Sequence, residues 1–124
     1  MLKTCTLWKK YYSFYCLFHL FFFGQTEEKI TYYKSGAIES KLNYVDYKLQ
    51  GESIIYYESG AVKRKVNYVD GLQQGECIFY YESGVVRYKV NYVDDRMHGE
   101  FIAYSESGAV TGKNNYVDGV LVKE

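Results

Sequence analysis

Residues 54–77 read IIYYESGAVKRKVNYVDGLQQGEC, and residues 78–101 repeat them as IFYYESGVVRYKVNYVDDRMHGEF. The same 24-residue unit begins at residue 30 (ITYYKSGAIESKLNYVDYKLQGES). It closes at residues 102–124 (IAYSESGAVTGKNNYVDGVLVKE). Four copies without an insertion make this a repeat architecture, in which each unit buries its apolar groups against its neighbours. Each copy carries two turn signals, Ser-Gly near its start (Ser35-Gly36, Ser59-Gly60, Ser83-Gly84, Ser107-Gly108) and Val-Asp near its middle. Between the turns lie segments of about eight residues rich in Ile, Val, Tyr and Phe, the size and chemistry of strands. No sustained 3.6-residue period appears. The expectation is an all-β protein, an elongated single-layer antiparallel β-meander of about eight or nine strands.

Turn chemistry predicts which side chains share a face. A two-residue Ser-Gly turn would force Ser to positive φ, so a three-residue loop with only Gly left-handed is expected, pairing Tyr57 with Ala61. Extending the same choice to Val69-Asp70-Gly71 pairs Tyr68 with Leu72. The two loops together predict one aromatic face carrying Ile54, Tyr56, Val66, Tyr68, Ile78, Tyr80, Val90 and Tyr92. The opposite face then carries the lysine ladder Lys41, Lys65, Lys89 and Lys113. Tyr47 and Asp95 replace the glycine of the second loop, and a bulky residue at positive φ is unfavourable, so another geometry is expected there. Asn114 stands where Leu42, Val66 and Val90 stood, a decay that suits a terminal cap.

Composition narrows the function classes. The 124 residues allow one small domain. Lys+Arg and Asp+Glu number 15 each, and 16 tyrosines and 7 phenylalanines accompany 11 glycines and no proline. Zero formal charge argues against a phosphate-tracking nucleic-acid binder, so no nucleic-acid partner is expected. Three lysines and no acids occupy the first 24 residues, leaving 12 basic and 15 acidic groups, net −3, in residues 25–124. Residues 1–24 run from basic MLKTCTLWKK through apolar YYSFYCLFHLFFF to Gly24, the order of a signal peptide or membrane anchor. The chain thus divides into that segment and a repeat domain over 25–124. The expected location is exported or membrane-anchored in the cell envelope, the alternative cytoplasmic.

Catalytic and metal chemistry find little support. Cys77 is the one cysteine of the body, which excludes a disulfide framework or a cysteine zinc site there. Its counterparts are Ser53 and Phe101, so it reads as a packing position. His98, placed in a loop before Gly99, has no readable nucleophile or orienting acid. Glu52, Glu76 and Glu100 recur about 10 Å apart in equivalent settings, a solvated row rather than an acid–base pair. No catalytic residue, cofactor or metal is expected.

The spacing Tyr57-Glu-Ser-Gly60, Tyr68-Val-Asp-Gly71 and Gly75 resembles the MORN repeat family, in the variant found in YwqK-type antitoxin-like proteins. The resemblance covers residues 30–124. It implies a trough-like aromatic face and a role in binding proteins or membranes rather than in catalysis. The expected function is a non-enzymatic scaffold binding another protein, a toxin among the candidates, or a second copy of itself, through the aromatic face. The alternative is a peripheral membrane or phospholipid-binding module, with the four ladder lysines meeting lipid headgroups.

Overall fold

The computed structural model describes residues 24–123. The signal or anchor segment read from residues 1–24 lies, but for Gly24, outside the described residues. Eleven strands follow one another: β1 (Thr26–Tyr32), β2 (Ile38–Val45), β3 (Lys48–Leu49), β4 (Gly51–Tyr56), β5 (Val62–Val69), β6 (Leu72–Gln73), β7 (Gly75–Tyr80), β8 (Val86–Val93), β9 (Arg96–Tyr104), β10 (Val110–Val117) and β11 (Val120–Val122). They form one open antiparallel sheet in the order β1-β2-β4-β5-β7-β8-β9-β10-β11, with β3 on β2 and β6 on β5. The fold is the single-layer β-meander that the repeat predicts.

The Ser-Gly turns are the expected three-residue loops. In each, the residue before the loop accepts from the loop glycine and donates to the residue after it: Gly60 N donates to the Tyr57 carbonyl at 2.9 Å, and Tyr57 N to the Ala61 carbonyl at 2.8 Å. Gly60 holds φ at 91°. The geometry recurs at Tyr33, Tyr81 and Ser105.

The Val-Asp turns differ from expectation. Val69 pairs with Leu72 and Tyr68 with Gln73, so the loop is two residues, Asp70-Gly71, rather than three. Both residues are left-handed, at φ 51° and 84°, as a type I′ turn requires. Tyr47 (φ 65°) and Asp95 (φ 66°) take the same conformation, so no alternative geometry forms there. Backbone bonds to the preceding hairpin support these turns. Asp95 N donates to the Gln73 carbonyl at 3.1 Å, as Gly71 N does to that of Leu49 at 2.9 Å; at the first turn it is Asp46 N that reaches back, to the Gln25 carbonyl at 3.0 Å. Asp70 N reaches Gln50 Oε1 at 2.9 Å and Asp94 N reaches Gln74 Oε1 at 2.8 Å. Turn amides that would face solvent are thus tied to the repeat before.

This register redistributes the side chains. Directly opposed residues of antiparallel strands share a face. Ser53 opposes Val66, Cys77 opposes Val90, and Val90 opposes Phe101. Ile54 opposes Lys65, and Ile78 opposes Lys89. The expected aromatic face is therefore divided. Val66, Tyr68, Val90 and Tyr92 stand on one side, while Ile54, Tyr56, Ile78 and Tyr80 stand on the other, together with the lysines.

The first side is the core. Cys77, Val66 and Val90 are buried there, packed by Tyr68, Phe79, Tyr92, Met97 and Phe101. Arg64 lies 5.0 Å above the Phe79 ring, Phe79 stacks on Tyr88 at 4.2 Å, and Tyr88 continues to Phe101 at 5.5 Å. Large neighbours on adjacent strands thus cover the layer that the described residues form.

Candidate functional site

The second face is built from four rows that cross the sheet, successive rows lying two residues apart along the strands. One row alternates isoleucine and lysine without a break: Ile30, Lys41, Ile54, Lys65, Ile78, Lys89, Ile102, Lys113. It arises because both residue types recur every 24 positions and the hairpin register sets each isoleucine opposite a lysine. Lys65 and Lys89 are half-buried, their methylene stems flanked by isoleucines while the ammonium groups reach solvent.

The adjacent row alternates glutamate and asparagine, with Glu28 opposite Asn43, Glu52 opposite Asn67, Glu76 opposite Asn91 and Glu100 opposite Asn115. Lys89 Nζ stands 3.7 Å from Glu76 Oε1, joining the two rows. These partly exposed groups form a screened pair worth under about 1 kcal/mol. The glutamates are thus a solvated row, as read from the sequence, yet they lie beside the lysines.

Largely apolar rows flank the charged pair, with Lys48 opposite Val45 and Arg96 opposite Val93 as the exceptions. On one side Tyr56 opposes Val62, Tyr80 opposes Val86 and Tyr104 opposes Val110. On the other, next to the Val-Asp turns, Val69 opposes Leu72, Val93 opposes Arg96 and Val117 opposes Val120. Val69, Leu72, Val93, Val110, Val117 and Val120 are exposed, as is Tyr32. This outer valine row was missed in the sequence reading. Its signal is the valine that precedes the turn Asp in every copy, at 45, 69, 93 and 117.

The expected partner-binding residues consequently separate. Ile54, Tyr56, Ile78 and Tyr80 belong to this open face. Val66 and Val90 are 3% and 4% exposed, and Tyr68 and Tyr92 pack against them in the core. The lysines are not opposite the open aromatics but among them.

The groups weighed for chemistry take structural positions. Cys77 is fully buried and accepts a hydrogen bond from Arg64 Nε at 3.3 Å. Burial pushes its thiol above the ordinary range, against the hydrogen bond and charge of Arg64, so it stays protonated at neutral pH. His98 lies within β9, not in a loop. It holds the place of Gln50 and Gln74, and its Nδ1 is 3.7 Å from Asp118 Oδ1. Among the described residues, no three of His, Cys, Asp and Glu gather into a metal-binding group. No helix among them is long and apolar enough to cross a membrane.

Comparison with known families gives three matches to one repeat, the MORN repeat variant, at residues 28–46, 49–70 and 73–94. They cover just over half of the chain and stop before the fourth copy, whose Ser105, Gly112 and Asn114 depart from the repeat. No curated protein matches the sequence. MORN repeats are generally non-catalytic scaffolds, often binding membranes or proteins. The gap-free period, the paired turns of each copy and these three matches agree, and the chain belongs to the MORN repeat variant family.

Proposed function

We propose that this protein is a non-enzymatic scaffold that binds a partner protein through the open face of its sheet. One observation carries the reading: the core face is largely satisfied by its own aromatic packing, with Leu121 exposed on it at the last strand, while the exposed Tyr32, Val69, Leu72, Val93, Val110, Val117, Val120 and Val122 lie on the other side. Ile54, Tyr56, Ile78 and Tyr80 supply the larger contacts of that face. Tyrosine joins a broad apolar ring to a polar tip, which suits it to interfaces. Antitoxin- or immunity-like capture of a toxin is one form such binding takes. Export or anchoring through residues 1–24 would place it in the cell envelope. The test is affinity purification of the tagged full chain from its host, beside the Tyr56→Ala/Tyr80→Ala variant. A partner retained by the former and lost by the latter, with the β-type circular dichroism spectrum unchanged, supports the reading. Equal capture by both defeats it.

A second reading is a peripheral phospholipid-binding module. It draws on the single row that holds Lys41, Lys65, Lys89 and Lys113, each worth about 1 kcal/mol near an anionic surface. The glutamates of the next row oppose it. Flotation with phosphatidylserine vesicles, lost on Lys65→Gln/Lys89→Gln, is the result it requires.

A further inference from the structure

The open face is complementary to itself. Its four rows run Tyr/Val, Ile/Lys, Glu/Asn and an outer valine row that also holds Lys48 and Arg96. A two-fold axis lying parallel to the sheet and across the strands, between the two charged rows, sets lysine row against glutamate row and tyrosine row against valine row. We propose that the occupant of this face is a second copy of the chain, the two sheets stacking face to face about that axis. The proposal rests on the scaffold reading above and names its partner.

Charge complementarity singles out the second copy. The lysines at 65 and 89 and the glutamates at 52 and 76 have the same 24-residue period, offset by one strand. Across the axis each lysine falls between two glutamates of the facing copy, within reach of either. A two-fold parallel to the strands would instead set lysine row over lysine row and glutamate row over glutamate row, leaving neither with an opposite charge. An anionic bilayer is drawn to the lysines and to Lys48 and Arg96 but repelled by the glutamate row, whereas a second copy pairs both rows. Stacked sheets lie about 10 Å apart, which accommodates interdigitated Lys and Glu side chains.

The dimensions agree. Seven strand spacings and three row steps span roughly 34 Å by 20 Å, about 700 Å² on each copy, close to the roughly 800 Å² per partner of stable complexes. The outer rows would close over the charged ones. An isologous interface is then formed from one surface used twice.

Sedimentation of the full chain at about 50 µM, where a micromolar interface is filled, provides the test. The wild-type chain is expected to be a dimer. Lys65→Glu/Lys89→Glu and Glu52→Lys/Glu76→Lys should each be monomeric, and mixing the two should restore a dimer containing one of each. Val93→Lys, in the outer row, should also dissociate it. A monomeric wild type, a dimer indifferent to the swaps, or a mixture that stays monomeric overturns the proposal. A monomeric wild type that still loses a captured protein on Tyr56→Ala/Tyr80→Ala overturns the self-pairing alone and leaves the scaffold reading standing. Vesicle binding that falls with Lys→Glu and rises with Glu→Lys in a monomeric chain assigns the face to lipid instead.

Discussion

The Tyr57 hydroxyl donates a 2.8 Å hydrogen bond to the backbone carbonyl of Tyr80, 23 residues further along the chain. Tyr33 does the same to Tyr56 and Tyr81 to Tyr104, at 2.7 and 2.9 Å. Each tyrosine therefore closes its own Ser-Gly hairpin onto the next. In the fourth copy Ser105 holds the position, and its hydroxyl turns back to Ser107 at 2.8 Å.

Tyr57→Phe removes that hydroxyl while keeping the ring. Equilibrium urea unfolding should show a loss of about 1 kcal/mol, the usual net worth of such a bond. Ser105→Ala should change stability far less, because its hydroxyl bonds only within its own turn, to Ser107 and the Ala109 carbonyl. Equal losses in the two variants would show that the hydroxyl does not couple copies.

Tyr47 sits at φ 65° with 87% of its surface exposed. Tyr47→Gly relieves a left-handed bulky residue and sacrifices little packing. A gain of roughly 1 kcal/mol is expected, read from the urea midpoint. The reverse change, Gly71→Tyr, should cost a similar amount. A destabilised Tyr47→Gly would mean that the ring contributes to the fold.

Cys77 is completely buried, whereas its counterpart Phe101 lies nearer the C-terminal edge. Cys77→Phe should therefore cost about 1–3 kcal/mol by overpacking, although the repeat accepts Phe one copy later. Cys77→Val, close in volume, should fold. Thermal melts of the two variants check this.

Alkaline pH should weaken the fold. Burial raises the thiol of Cys77 and the phenols of Tyr88 and Tyr92 above their ordinary values. The folded chain thus holds protons that the unfolded chain releases. Their contribution is complete below the ordinary cysteine and tyrosine range and fades as pH rises through the raised values. Urea midpoints should fall from about pH 9 upward, less steeply in Cys77→Val. A flat profile to pH 11 would contradict the burial of these groups.

The two faces should also separate in mutation. Val66→Ala and Val90→Ala strip buried methyls and should cost about 2 kcal/mol each. Tyr56→Ala and Tyr80→Ala, on the open face, should leave a folded protein. A Tyr56→Ala/Tyr80→Ala chain that no longer unfolds cooperatively would put those rings in the core.

Much of this was legible in residues 30–124. Four copies in step, Ser-Gly turns that spare serine a positive φ, and strand-forming residues between them determine an open β-meander by local rules alone. The rows are equally local, since a period of 24 is even and returns each position to the same face. The relation between faces hangs on whether the Val-Asp turn holds two residues or three. Asp70-Gly71 and Asp118-Gly119 carry the local signature of a two-residue type I′ turn. Asp46-Tyr47 and Asp94-Asp95 lack the glycine, and there only the assembled sheet supports the turn. Gln25, Gln73 and Gln74 accept the amides of Asp46, Asp95 and Asp94, as Leu49 and Gln50 accept those of Gly71 and Asp70. Those bonds join residues about twenty apart, and they exist only once neighbouring repeats are stacked. That one-residue difference moved Val66 and Tyr68 into the core and set the lysines beside Ile54 and Tyr56, since a single step in register turns every side chain of a strand to the other face.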